Sequence, residues 1–156
     1  MEGLLIHAAD AADAPAIVAC LEAAFAPYRH LYPLTAYADT VPDTDGILRR
    51  LTGMHVLVAV ASNQVAGTIA GALNNQAEGH LRGMAVLPQW QGSGIAGRLL
   101  TSMEVYLRAQ GCRRVTLDTT LPLQRAIRFY EDHGYRRSGV TADFFGMPLH
   151  EYAKDL

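Results

Sequence analysis

The residues best suited to chemistry lie between Met84 and Arg98, where a strand ends, a polar turn with Pro88 follows, and two glycines open a helix. Gly92 and Gly94 allow backbone angles that other residues avoid, and they leave their amide N–H groups unshielded. The first helical turn also carries N–H groups without internal partners, at the positive end of the helix dipole. The sequence therefore predicts a cradle for a phosphate or pyrophosphate. The alternative is a glycine-softened turn in front of a core helix.

The same glycines match a second pattern, because Gly92-x-Gly94-x-x-Gly97 has the spacing of the dinucleotide-binding fingerprint. Asp118 follows about 20 residues later, where such domains place an acid. However, the fingerprint expects its first glycine almost directly after the strand, and residues 88–91 intervene here. It also expects further βα units, for which the chain after Asp118 is too short. A nicotinamide-dependent domain is therefore the weaker interpretation, and a Walker loop is excluded because no Gly-Lys-Ser/Thr follows.

Two motifs in this order carry a family resemblance. The first is Gln91-x-x-Gly94-x-Ala96, and the second is the segment 126–135, which reads A-I-R-F-Y-E-D-H-G-Y. They resemble the Gln/Arg-x-x-Gly-x-Gly/Ala and A-x-x-F/L-Y-x-x-x-G-F/Y motifs of the GNAT superfamily of acetyl-CoA-dependent N-acetyltransferases. The resemblance is specific over about residues 80–139, and for the fold it extends over essentially the whole chain.

The elements that must position these motifs follow from hydrophobic periodicity. Apolar runs predict strands at 4–9, 55–62, 65–73, 80–87, 115–119, 135–139 and within 144–154. Helices are predicted at 14–25, from Asp43 onward, at 94–110 and at 123–133, with a loop containing some helix at 27–37. The order is β-α-α-β-β-β-α-β-α-β-β.

The resemblance implies an α/β (α+β) fold in a single N-acetyltransferase domain over residues 1–156. Its sheet would be mixed and mostly antiparallel, with six to seven strands, flanking helices, and a splay between the strands at 80–87 and 115–119. The strongest helix agrees with this fold, since apolar residues recur every four positions at Ile95, Leu99, Met103 and Leu107.

The resemblance also implies where acetyl-CoA, the acetyl donor, binds. Backbone amides would hold its pyrophosphate at Gln91, Gly92, Ser93, Gly94, Ile95, Ala96 and Gly97. The pantetheine arm is expected along Met84, Ala85 and Val86, pairing with backbone groups like an added strand. No metal is expected.

One position departs from the family pattern. Members often carry an asparagine three residues before the alanine of the second motif, where this chain has Leu123. The polar contact to the cofactor that the asparagine would make is therefore missing, or it is replaced by Gln124 or Arg125.

Two catalytic residues are expected. Tyr130 matches the family's general-acid tyrosine, which protonates the departing thiolate. The amine must lose a proton before it attacks, and His80 stands where related proteins often place a basic glutamate. Glu78 is the alternative base, although it is expected in the turn before the strand. The period-2 alternation of the strand predicts that His80, Arg82, Met84 and Val86 share one face.

The acceptor is expected near the loop that follows the first helix. Tyr28, Arg29 and Tyr32 could frame a small amine or amino acid there, with Arg29 meeting a carboxylate. The alternative is a surface loop whose tyrosines pack on the core. Further candidates in the same regions of the family fold are His30, Tyr37, Phe144, Phe145 and His150.

Composition narrows the functional class. The chain has 156 residues, half of them apolar, and a net charge of −2, which argues against general nucleic-acid binding. Residues 80–156 hold ten basic residues against seven acids, and this half could receive a small polyanion. Cys20 and Cys112 are expected to be free buried thiols.

No apolar stretch is long enough to span a bilayer, and the acidic N-terminus is unlike a signal peptide, so we expect a cytoplasmic protein. The expected function is transfer of an acetyl group to a primary amine of a small molecule or peptide, directly, in a ternary complex. A homodimer is a further expectation by analogy. The alternative function is a non-catalytic acyl-CoA-binding sensor module.

Overall fold

The computed structural model describes residues 3–156 of the chain, and the elements in that range follow the predicted alternation of strands and helices. The strands are β1 (Leu5–Ala8), β2 (His55–Ala61), β3 (Gln64–Leu73), β4 (Glu78–Val86), β5 (Arg114–Thr119), β6 (Arg136–Phe144) and β7 (Met147–Asp155). The α-helices are α1 (Ala14–Phe25), α2 (Leu34–Thr40), α3 (Thr44–Gly53), α4 (Ile95–Ala109) and α5 (Gln124–Asp132).

The strands of residues 3–156 form one seven-stranded sheet in the order β1-β2-β3-β4-β5-β7-β6. Within the described range β4 and β5 are the one parallel pair, and all other neighbours are antiparallel. This mixed, mostly antiparallel sheet confirms the predicted fold class. It also disagrees with the dinucleotide-binding alternative, which needs a series of parallel strands.

The helix α4 lies on one face of the sheet and positions the predicted cradle. Its buried residues include the predicted four-residue series of Ile95, Leu99, Met103 and Leu107. The helix approaches the sheet closely because β3 carries glycine beneath it: a Cβ on Gly71 would lie 2.7 Å from the Met103 sulfur. At Gly67 a Cβ would lie 3.0 Å from Ile95 Cγ2 and 3.1 Å from the Ala85 carbonyl oxygen, so the start of α4 packs beside the end of β4.

The opposite face of the sheet is covered by α1 and α3. Ile17 and Leu21 from α1 and Ile47 from α3 are fully buried against apolar residues of β2 and β3. The side chain of Asp43 caps α3 by accepting a hydrogen bond of 2.8 Å from the Gly46 amide. Both helices thus lie beside the middle of the sheet, on the side away from α4.

Three sequence predictions need correction. Three α-helices, not two, separate β1 from β2, because α2 forms after Pro33 at its N-cap, partly within the segment 27–37 that was expected to be a loop with some helix. The strand β6 extends to Phe144, well beyond residue 139, and nearly all of it is exposed, which weakened its hydrophobic pattern. Glu78 begins β4 instead of lying in the preceding turn, because it pairs with Arg114 of β5.

Cys20 and Cys112 are both free and buried, as predicted. No helix within residues 3–156 combines the length and the apolar character needed to cross a membrane.

Candidate active site

The site begins where β4 and β5 part. Their parallel pairing runs from Glu78 opposite Arg114 to Leu81 opposite Leu117, and it stops there although both strands continue. The backbone of residues 82–86 therefore has no strand partner on the β5 side. This is the predicted splay, and it leaves N–H and C=O groups that need partners from elsewhere.

A β-bulge bends β4 at the opening of the splay. The pairing with β3 shifts by one residue between Arg82 opposite Ala70 and Ala85 opposite Thr68. Gly83 lies in the bulge with a φ of 64°, a left-handed conformation that favours glycine.

The bulge overturns the predicted alternation along β4. The side chains of His80 and Arg82 lie on the same face of the sheet as that of Ala85. Val86 lies on the other face with Leu81, in the core beneath α4. The prediction that Val86 shares a face with His80 is therefore wrong. A strand with one extra residue changes the side to which every later side chain points.

The cradle lies between the end of β4 and α4. Gly92 and Gly94 have φ values of 81° and 93°, so the turn uses the conformation that glycine permits. Gly94 is the N-cap of α4 and supplies no side chain to the free N–H groups of the first turn. A Cβ at Gly94 would meet no atom within 4 Å, so the space in front of the helix is open.

Two side chains brace this turn. The Gln91 Nε2 group donates to the Val86 carbonyl oxygen at 3.1 Å, and Arg125 Nη1 donates to Gln91 Oε1 at 3.1 Å. The Arg125 guanidinium lies 3.9 Å from the position that a Cβ on Gly92 would take. In contrast, Gln124 bonds the carbonyl oxygen of its own turn. Of the two residues that could compensate for the absent asparagine, Arg125 is the one beside the cradle.

A single cavity of about 590 Å³ joins the cradle to the splay and to both motifs. Of the predicted site residues, those that line it are His80, Met84, Ala85, Val86, Gln91, Gly92, Gly94, Ile95, Ala96, Gly97, Tyr130, Tyr28 and Tyr32. Ser93 and Arg29 are not among the lining residues of the described range. Ser93 instead turns its hydroxyl to the Trp90 carbonyl oxygen.

Tyr130 reaches the cavity from α5. It is buried, and its ring meets the rings of Phe129 and Tyr135 edge-on at centroid distances of 5.3 and 5.8 Å. These contacts fix the ring in one orientation. Burial raises the pKa of Tyr130 above its usual value, so the hydroxyl keeps its proton at neutral pH.

His80 lies in β4 opposite Thr116 of β5, just before the splay opens, in a chain of polar contacts. Its Nδ1 atom is 2.9 Å from Thr116 Oγ1, and that hydroxyl can donate to the Gly79 carbonyl oxygen at 3.3 Å. With the Thr116 proton used in this way, Thr116 accepts from Nδ1–H and Nε2 is the free nitrogen. Asp118 Oδ2 lies 3.6 Å from Nε2.

The environment of Asp118 is mixed. Partial burial raises the pKa of Asp118, while the charges of His80 and Arg82 act in the opposite direction. The sequence had suggested this acid only through the dinucleotide fingerprint. The alternative base Glu78 is instead paired with Arg114 at 3.0 Å.

The end of the cavity that holds Tyr28 and Tyr32, called the acceptor end because the acceptor is expected there, is built from segments far apart in the chain. The Tyr32 hydroxyl bonds Thr120 Oγ1 at 3.0 Å, and burial is the main reason that the pKa of Tyr32 is raised. The guanidinium of Arg29 instead lies over the Tyr37 ring, 5.3 Å from its centroid. Of the other predicted candidates, Phe144 lines the cavity, and His150 contacts Arg137.

Sequence reasoning missed Arg50, Arg82 and Asp39, which also line this end. Arg82 Nη2 and Asp39 Oδ2 form an ion pair at 3.2 Å. A signal for Arg50 was present, because it lies three residues after the buried Ile47, on the same side of α3. The described residues contain no cluster of three metal-binding side chains.

Known proteins resemble the chain both in sequence and in structure. Residues 17–135 match the sequence model of the acetyltransferase (GNAT) family. An aminoglycoside N(6')-acetyltransferase type 1 of Stenotrophomonas maltophilia is 28% identical over 123 residues, which are 69% of this chain and 80% of that protein.

Two solved structures show the same fold. PaiA N-acetyltransferase from Thermoplasma acidophilum, in complex with coenzyme A, has a TM-score of 0.84 at 14% identity, over 98% of this chain and 99% of that chain. The ribosomal-protein-S18-alanine N-acetyltransferase of Escherichia coli has a TM-score of 0.78 at 17% identity, over 97% and 93%. With a family match across most of its length, the chain belongs to the GNAT family and is an acetyl-CoA-dependent acyltransferase.

Proposed function

We propose that the chain, as one domain over residues 1–156, moves an acetyl group from acetyl-CoA directly to a primary amine in a ternary complex. The acceptor would be a small molecule or a peptide. The observation that carries this proposal is the single cavity that joins the glycine cradle, the splay, Tyr130 and His80. When bound, acetyl-CoA supplies a thioester whose carbonyl carbon is open to an amine and whose sulfur can leave.

The cradle and the splay fit this donor. The open space in front of α4, the uncapped N-terminus at Gly94 and the nearby Arg125 together suit a pyrophosphate. Beside the same cavity, Trp90 Nε1 and Thr119 Oγ1 are buried without a hydrogen-bond partner among residues 3–156. Buried polar groups are nearly always paired, so these orphans support a site that is completed by a ligand.

Backbone groups of β4 are the candidates for holding the thioester end. The segment Met84 to Val86 lies past the last residue that pairs with β5, so its inward N–H groups are free to donate. An N–H aimed at the carbonyl oxygen would stabilise the negative charge that develops there. Because the bulge at Gly83 fixes the direction of this segment, the donors are oriented before any ligand arrives.

Tyr130 is proposed as the general acid. Its buried hydroxyl stays protonated at neutral pH and lies at the cavity wall. The same low-polarity surroundings disfavour a free thiolate, so a proton delivered to the leaving sulfur is favoured there. Protonation of the sulfur prevents the reverse reaction.

His80 is proposed as the base that takes a proton from the amine. The hydrogen bond with Thr116 leaves its Nε2 nitrogen free to accept that proton. Asp118 then lies 3.6 Å from the nitrogen that becomes positive. The carboxylate would thus position and stabilise the protonated imidazole.

A thiol-release assay with acetyl-CoA tests the proposal, run across primary amines, amino acids, an aminoglycoside and a peptide with an N-terminal alanine. The last two represent the acceptors that the names of the similar proteins give. We expect acceptor-dependent release of coenzyme A, and a melting temperature that acetyl-CoA raises and NAD does not. Thermal stabilisation by acetyl-CoA without transfer to any amine would instead favour the sensor module.

A further inference from the structure

Arg50 reaches from the last turns of α3 into the acceptor end of the cavity. Its guanidinium lies directly over Gly83, because a Cβ on that residue would be only 2.6 Å from Arg50 Nη1. A side chain at the bulge would therefore displace the guanidinium from its present place. Arg50 is half-buried and lines the wall there.

The charges around Arg50 leave it without an anion of its own. Arg82 is paired with Asp39 at 3.2 Å, and Asp118 faces His80 at 3.6 Å. Within residues 3–156 Arg50 takes part in no ion pair and no side-chain hydrogen bond. Burial, and next the charge of Arg82, lower the pKa of Arg50 to about 10, against the opposing effect of Asp39. The guanidinium is thus still charged at neutral pH, in a partly dry site.

We propose that Arg50 binds a carboxylate of the acceptor. The preferred substrates are then amines that carry an acidic group, and free amino acids are the representative examples. This inference rests on the proposed function. A guanidinium offers a carboxylate two parallel N–H donors, and such a pair is stronger than a neutral hydrogen bond. The incoming carboxylate also offsets the cost of holding an unpaired cation away from water.

Position limits the distance between the acid and the amine. Gly83 immediately precedes the segment of residues 84–86 that is proposed to hold the thioester, so a group bound by Arg50 lies close to the reacting carbon. An amine only a few bonds from its carboxylate can reach both places. The geometry therefore favours α- and β-amino acids over acceptors whose acid is remote.

The same position disfavours polycations. An acceptor with several ammonium groups would place one of its positive charges near the guanidinium of Arg50. Arg50 forms no ion pair among the described residues, so the two positive charges would repel each other. The sequence had assigned a carboxylate to Arg29, which lies over Tyr37 instead. The inference instead gives this role to Arg50 of α3.

The test uses matched pairs of acceptors: the twenty protein amino acids and β-alanine, each with its carboxamide. The kcat/KM of each is measured by thiol release for the unaltered protein, Arg50→Gln, Arg50→Lys and the control Arg49→Gln. Arg49 neighbours Arg50 on α3 but is exposed and lies outside the cavity lining.

We expect at least one acid to be acetylated about tenfold or more faster than its carboxamide by the unaltered protein. Arg50→Gln should remove that preference by lowering kcat/KM for the acid alone, Arg50→Lys should keep part of it, and Arg49→Gln should keep all of it. Thermal stabilisation of Arg50→Gln by acetyl-CoA would show that the variant folds and binds its donor.

Three results would overturn the inference: no acid preferred over its carboxamide, an equal loss for acid and carboxamide in Arg50→Gln, or faster acetylation of an aminoglycoside than of any acid. Each can occur while acetyl-CoA still stabilises the protein and some amine is acetylated. Failure of the carboxylate site is therefore distinguishable from failure of the proposed function.

Discussion

The two ends of the cavity are built in different ways. The cofactor end consists mainly of backbone: two glycines with left-handed φ, an uncapped helix and a strand without a partner on one side. The acceptor end consists of side chains from distant segments, in which Tyr32 meets Thr120 and Arg82 meets Asp39.

This difference has a physical consequence. A backbone cradle depends on local conformation and tolerates many side chains, so one design can hold the same donor in many proteins. A side-chain pocket changes with every substitution in several separate segments. We therefore expect donor binding and acceptor choice to respond independently to mutation, and we place the proposed general acid Tyr130 where the two ends meet.

The largest effect is expected at that meeting point. Tyr130→Phe removes the proposed proton donor but keeps the ring contacts with Phe129 and Tyr135, so kcat should fall by about 100-fold with the affinity for acetyl-CoA unchanged. Because burial raises the pKa of Tyr130, no decline in kcat from its ionisation is expected up to pH 10. Steady-state kinetics and thermal shifts with acetyl-CoA measure both quantities.

The control is Tyr106→Phe, since Tyr106 stacks on His55 away from the cavity. It should leave kcat unchanged. An unchanged kcat in Tyr130→Phe would remove this tyrosine from the mechanism.

A somewhat smaller effect is expected on the acceptor side. His80→Ala should lower kcat/KM at neutral pH by about 30-fold, because water can partly replace a half-exposed base. A general base that must accept a proton gives the profile of kcat/KM an acidic limb, and His80→Ala should lose that limb. A pH–rate profile of kcat/KM provides the measurement.

His7 is exposed in β1 and offers a matched control, so His7→Ala should keep the full profile. If the acidic limb survives in His80→Ala, the base is another group.

The division explains how much the sequence could predict. The conformation of the cradle could be predicted because its glycines, its turn and its helix are consecutive in the sequence, so their residue pattern determines the local backbone conformation. The order of strands and helices could also be predicted, because each element follows from the hydrophobic pattern of its own segment. Arg50 could be suspected from its spacing to Ile47, but nothing in the sequence placed it over Gly83, since that contact depends on how α3 packs across the sheet.

The same limit explains the errors along β4. Alternation predicts faces only while the pairing register holds, and the extra residue at Gly83 shifts it. A glycine inside a strand pattern is itself a sign of a bulge, so this signal was available. The contact between His80 and Asp118 was not, because it depends on the parallel pairing of two strands that a long helix separates.

A third prediction uses two glycines to separate local strain from ligand binding. Gly94 and Gly111 have φ values of 93° and 90°, and a Cβ at either would meet no atom within 4 Å. Alanine at either position should therefore cost a similar amount of stability, roughly 1–2 kcal/mol, from the left-handed backbone alone. Only Gly94→Ala should raise the KM for acetyl-CoA, by about tenfold, because its Cβ enters the cradle.

Thermal denaturation of both variants and their acetyl-CoA kinetics give the comparison. Equal losses of stability with unequal KM values would separate the cost of the left-handed backbone from the effect of the Cβ on donor binding in the cradle. Equal KM values would mean that the turn before α4 does not contact the donor.

The smallest effect is expected from the one charged side chain that braces the backbone cradle. Arg125→Gln removes a guanidinium close to Gly92 together with its hydrogen bond to Gln91, whereas the bond from Gln91 to the Val86 carbonyl oxygen remains. An exposed charge of this kind contributes little, so KM for acetyl-CoA should rise by about threefold. Arg128→Gln, exposed on the same helix and outside the cavity lining, is the control. The difference between the two variants should shrink as salt is added, because ions screen an exposed contact to a pyrophosphate. A 100-fold rise in the KM of Arg125→Gln for acetyl-CoA that does not depend on salt would mean that a side chain, and not the backbone, dominates donor binding. The contrast between the two ends of the cavity would then fail.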